Sequence, residues 1–179
     1  MADAMLDIFR RVTVKQYEAA LCTLNACVER CPEESWNGKV TNWVFNQLAF
    51  HTLFFADLYL GRDVDSMREQ PFHRANPDFF RDYEEFEPRA PVHLYDKPGI
   101  MTYVQHCRGK AAEVLAAETA QTLEGPSGFE WCRFSRGELH LYNIRHIQHH
   151  AAQLSMRLRL DAKAEVPWVG TGWKDLEKK

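Results

Sequence analysis

The chain has 179 residues, 45% of them apolar and 26% charged, with a net charge of -3. That length and composition fit one globular domain spanning residues 1–179, with a core of about 4–160. A weakly negative chain without a basic stripe is not expected to bind nucleic acid or an anionic membrane surface.

Asp3 and Asp7 interrupt the start before any apolar run develops, so no secretory leader is expected. Residues 4–30 read as a first helix, with a break near 12–14. Tyr17, Leu21, Leu24 and Val28 recur at helical spacing, and Ala20 and Cys27 widen the stripe. Cys31 and Pro32 end it, because the residue before a proline disfavours helix. Asn37 and Gly38 signal a turn. Thr41 then stands as N-cap of a second helix running to Leu60, with Gly61 as its stop. Its expected inward face is Val44, Gln47, Leu48, His51, Phe55 and Leu58. Residues 44–60 form the most apolar stretch, yet Asn46, Gln47, His51 and Asp57 mark a core helix and not a membrane span.

Residues 62–97 contain Pro71, Pro77, Pro88 and Pro91, with Pro98 just beyond, so no long helix fits there. One short helix is expected, with Asn76 as cap, Pro77 first and 78–86 following. Phe72, Phe79, Phe80, Tyr83, Phe86 and Tyr95 are too many aromatics for a solvated linker. A connection of this length and character reads as a lid supplying aromatic walls across a site, or as a strap packed on the bundle. A third helix covers 98–119. Gly125, Pro126, Ser127 and Gly128 break the chain, and Ser135 with Glu138 fits a capping box opening a fourth helix over 136–160. Its expected inward face is Leu139, Asn143, His146, His150, Gln153 and Arg157. Trp168 and Trp173 suggest that the 161–179 tail docks on the body or on a second subunit. The fold class is therefore all-α, a four-helix bundle with a long crossover between helices 2 and 3.

Five cysteines without a Cys-x-x-Cys pair read as free thiols in a reducing, cytoplasmic setting. The chemistry concentrates in histidine. His146 and His150 are four apart on one helix, so both imidazoles can face one point. His51, on the inward face of another helix, is the candidate third ligand. Burying three imidazoles separately needs three sets of hydrogen-bond partners, whereas one divalent cation satisfies all three. His149 neighbours His150 and cannot share its direction, which leaves it a supporting or proton-carrying role. His140 falls off the face and reads as structural. His73 and His93, on the connection, lie within reach of the site, and His106 reads as a surface residue. The chain lacks His-Glu-x-x-His, Glu-x-x-His, Gly-x-Ser-x-Gly and a P-loop, which sets aside zincin, di-iron, serine-hydrolase and nucleotide chemistry.

A helical bundle with His51 following Gln47, Leu48, Ala49 and Phe50, and with His146 and His150 inside residues 145–154, resembles the DinB/YfiT-like superfamily. The resemblance spans roughly residues 4–160. It implies one divalent metal ion (Zn, Ni or Fe) held by three histidines, frequent homodimers, and activities that include thiol-dependent S-transfer, a mycothiol-dependent isomerisation and metal-dependent hydrolysis. Three histidines leave an open coordination position for water or substrate. On this reading the chain is a metal-dependent S-transferase joining a low-molecular-weight thiol to a small electrophilic substrate. Its alternatives are a metal-dependent hydrolase and a non-catalytic, stress-associated metal-binding dimer. Asn143, Gln153, Gln47 and His149 are the candidate helpers around the metal. No carboxylate stands out as a general base, which favours thiol transfer over hydrolysis.

Overall fold

The computed structural model describes residues 2–173, so residues 174–179 of the expected tail lie outside the described residues. The chain is all-α. In order come α1 (Ala2–Arg30), α2 (Glu33–Trp36), α3 (Phe45–Leu60), α4 (Val64–Glu69), α5 (Pro71–Ala75), α6 (Pro77–Phe80), a 3-10 turn (Arg81–Phe86), α7 (Lys97–Ala117), α8 (Ala120–Glu124) and α9 (Arg136–Ala162). The long helices α1 and α3 each pack on both α7 and α9, which places α1 diagonally opposite α3. No helix among the described residues is long and apolar enough to cross a membrane.

The expected stripe of α1 is the buried one: Tyr17, Ala20, Leu21, Leu24, Cys27 and Val28 all lie in the core. The helix does not break near residue 12, because valines and a threonine lower helix propensity by only tenths of a kcal/mol each and packing over many turns outweighs that. The start of α3 is corrected. Residues 39–44 fold back through a bridge between Lys39 and Val44, so Thr41 is not the cap. The Gln47 side chain accepts from the Val44 amide at 3.2 Å and takes over that work.

α3 is buried on every side except at two positions. Fourteen of its sixteen residues are inaccessible, and His51 and Phe55 alone keep partial exposure. A helix apolar all round must be covered all round, and the 61–96 connection provides the cover. Phe79 and Tyr95 pack on Phe50, Tyr83 and Phe86 pack on Phe54, and Phe72 stacks on His106 of α7. The single helix expected over 77–86 stops at Phe80, because Arg81 (φ 36°) and Tyr83 (φ 63°) take the left-handed conformation. Asp96 caps α7 by accepting from the Gly99 amide at 2.8 Å, and a Cβ at Gly99 would meet Phe79 at 2.8 Å, so glycine lets the connection close onto α7.

Ser135 caps α9 as expected, with the Glu138 amide donating to its Oγ at 3.2 Å, but the return bond from the Glu138 side chain that would complete a capping box is not formed. Its buried stripe is rotated from expectation: Leu139, His140, Asn143, Ile147, Ala151, Leu154 and Leu158 face the core. His146, His150 and Gln153 stand at the edge of that stripe, half-buried. In the tail, Val169 packs with Ala19 and Cys22, and Trp173 lies under the Arg108 guanidinium. Trp168 is 88% exposed and does not dock on the body.

Candidate metal centre

α3 and α9 pack along their length, and their shared seam brings three histidines together at its edge. One ring nitrogen each from His51, His146 and His150 lies within 4.8 Å of the other two. The ring centroids are 5.5 Å apart for His51 and His146, 5.0 Å for His51 and His150, and 4.7 Å for His146 and His150. The four-residue spacing on α9 produces the last of these, and side-by-side packing of two helices produces the others. Trp43 wedges against the His51 ring at 4.0 Å, and Phe55 closes the other side at 4.9 Å.

Two of the three imidazoles are held from behind. His51 Nδ1 donates to Glu85 Oε2 at 2.6 Å, so its lone pair sits on Nε2. His150 Nδ1 donates to Gln153 Oε1 at 2.8 Å, which fixes the same tautomer. His146 differs: its Nδ1 is buried without a partner. Burial pushes the His146 pKa down to about 2, with the neighbouring histidines adding to the effect. Burial likewise lowers His150, to about 4, against the pull of its bond to Gln153. Both rings are therefore neutral at pH 7, the form that binds a metal. Imidazoles converging from two helices, one with a buried atom lacking a partner among the described residues, are a donor set suited to Zn, Ni or Fe.

The other expected site residues divide. Gln153 is at the cluster, bonded to His150. His149 is exposed and borders two surface hollows flanking α9. One is about 370 Å³, lined by Tyr142, Arg145, His146 and His149; the other is about 430 Å³ and runs past Val40, Thr41, Gln153 and Met156. Two larger hollows, around Glu118 and Arg136 and around residues 124–135, touch none of the three histidines. Asn143 does not reach the cluster; its amide donates to Ala56 O at 2.9 Å and ties α9 to α3. Gln47 does not support His51, because its side chain is spent on the Val44 amide and on the Pro91 and His93 carbonyls.

His140 is structural, as expected, between the Tyr17 hydroxyl and the Glu118 carboxylate. His73 does not approach the site. It is buried against Asp57 at 2.7 Å and against Tyr83. His93 stacks edge-on to Tyr95. His106 is not a free surface residue, since it stacks on Phe72 and bonds Gln70. None of the six aromatics of the connection makes a ring contact with the three histidines. Their partners are Phe50, Phe54, Tyr103 and His106, so the connection straps α3 and does not wall the site. Its one contribution, Glu85, was not foreseen. A carboxylate in a 3-10 turn carries no periodic signal, and only the unusual length of the segment pointed there.

The DinB superfamily model matches residues 16–154, which include all three histidines. The chain belongs to the DinB superfamily. Metal binding is typical of DinB proteins, and in this one His51, at one of the two partly exposed positions of α3, meets His146 and His150 of α9. No curated protein and no solved structure matches the chain significantly.

Proposed function

We propose that this DinB protein is a metal-dependent enzyme in which His51, His146 and His150 hold one divalent ion and a small thiol is transferred to an electrophilic substrate. The observation that carries the reading is the convergence of three imidazoles whose ligand atoms lie within 4.8 Å of one another, in a cluster where the buried His146 Nδ1 has no partner among the described residues. A divalent ion bound there would lower the pKa of a thiol or water ligand and supply a nucleophile near neutral pH. The chain's own residues do the rest. Glu85 and Gln153 orient two of the rings, and Trp43 and Phe55 exclude water from the His51 side. His149, exposed beside both hollows, is placed to carry a proton to or from solvent.

Glu85 Oε2 accepts from His51 Nδ1–H, which is an orienting role, and no other carboxylate among the described residues bonds one of the three histidines; this favours thiol transfer over hydrolysis. The test is elemental analysis of the purified protein, followed by assay of a panel of low-molecular-weight thiols with a chloronitrobenzene electrophile, and of a nitrophenyl ester without thiol. One metal per chain and turnover that needs both thiol and electrophile support the proposal. Ester cleavage without thiol would make it a hydrolase. Activity should vanish on chelation and return with one added metal, while helical circular dichroism stays nearly intact. Less than about a tenth of a metal per chain after reconstitution would overturn it.

A further inference from the structure

The connection over α3 reaches the histidine cluster through one side chain. The Glu85 side chain is only 3% exposed, and its Oε2 lies 2.6 Å from His51 Nδ1. We infer that Glu85 is a positioning residue of the metal centre, holding His51 in the tautomer and orientation that leave its Nε2 free for a divalent ion; this rests on the three-histidine reading above.

The backbone explains how the contact is made. The turn from Arg81 to Phe86 contains Tyr83 at φ 63°, which bends the chain so that the adjacent acids serve different partners. Glu84 accepts from the Val92 and His93 amides and pairs with Arg89, which fastens the connection to itself. Glu85 instead meets α3 at one of the two positions that the strap leaves uncovered. Taking a carboxylate out of water is costly unless a strong donor meets it, and the His51 N–H is that donor. Imidazole ligands bring no charge to a dication. A carboxylate one ring away offsets part of the ion's charge and raises the basicity of the ligand nitrogen, and losing such a partner typically weakens metal affinity 10–100-fold. Gln153 does a weaker version of this for His150, since an amide oxygen orients the ring without supplying charge.

The rival account is that Glu85 merely pins the connection to α3. Glu84→Gln separates the two, because it loosens the same segment without touching His51. The experiment measures the zinc Kd of the full chain by competition with a chromophoric chelator, for wild type, Glu85→Gln, Glu85→Ala and Glu84→Gln. Cobalt(II) spectra are recorded in parallel, with thermal melts of the metal-free proteins to establish folding. Glu85→Gln is nearly isosteric and should fold. It should bind zinc 10–100-fold more weakly and shift the cobalt absorption, whereas Glu84→Gln should stay within about threefold. Glu85→Ala repeats the comparison if the amide variant refolds poorly. Wild-type zinc affinity and cobalt spectrum in both Glu85 variants would overturn the inference and leave the metal centre standing. So would equal weakening by Glu84→Gln and Glu85→Gln. A wild-type protein that takes up no zinc would instead remove the metal centre itself, and this role with it.

Discussion

α3 carries two polar clusters six residues apart, and they are built on opposite principles. Around Asp57 every polar group finds a partner. Its carboxylate, 0% exposed, accepts from His73, Tyr103, Gln70 and Lys110, and His106 stands at 3.4 Å. Burial alone would raise the Asp57 pKa, but the bonds from His106 and His73 and the Lys110 charge outweigh it and hold the carboxylate ionised. Around His51 the cluster is half-exposed, contains no internal counter-charge but Glu85, and leaves His146 Nδ1 unsatisfied. A closed network is complete without a ligand. A cluster with an unmet donor or acceptor at an open edge is built to receive one. Four measurements break or sharpen that contrast.

Asp57→Ala should have the largest effect, leaving the Lys110 ammonium and two imidazoles without their acceptor, at a cost of about 3–5 kcal/mol. Urea denaturation reads it. A loss under about 1 kcal/mol would mean that the network is decoration.

His51→Ala and His146→Ala should each abolish stoichiometric metal, whereas His140→Ala should retain it. Because His146 Nδ1 has no partner to lose, its truncation should cost the metal-free fold only packing, about 1–2 kcal/mol. Full metal occupancy in the His51 variant would defeat the three-histidine centre.

Acidification tests a second closed network, in which Glu118 binds His140, Thr122 and Arg136. Burial opposes ionisation of Glu118, but bonds from His140, Thr122 and Arg136 bring its pKa down from 4.5 to about 2. The native state therefore binds fewer protons there than the unfolded one, so this stability is complete above pH 4.5 and is lost as pH falls toward 2. His140, lowered from 6.5 by burial despite Glu118, acts in the same direction and begins to cost stability below pH 6.5. Melting temperatures of the chelated protein should fall steadily from pH 6.5 downward, and Glu118→Gln should flatten the segment below 4.5. An unchanged slope in that variant would refute the assignment.

The smallest effect belongs to His149→Ala. An exposed side chain off the cluster should change stability by no more than about 0.5 kcal/mol and leave one metal per chain. Loss of the metal would exchange His149 for His150 as the ligand.

The sequence by itself determined the helical class, the α1 stripe, the Ser135 cap and the three histidines. Each of these is written in local spacing, and helical geometry turns spacing into a shared face without any knowledge of neighbours. Tertiary structure decided what the faces meet. It rotated the α9 core stripe toward Ile147 and Ala151 and so moved His146 and His150 to the seam's edge. It turned the aromatic connection into a cover for Phe50 and Phe54 instead of a site wall, spent Gln47 and Asn143 on backbone carbonyls, and delivered Glu85 to His51. Those outcomes depend on contacts between residues 32 to 87 positions apart, which periodicity along one helix cannot encode.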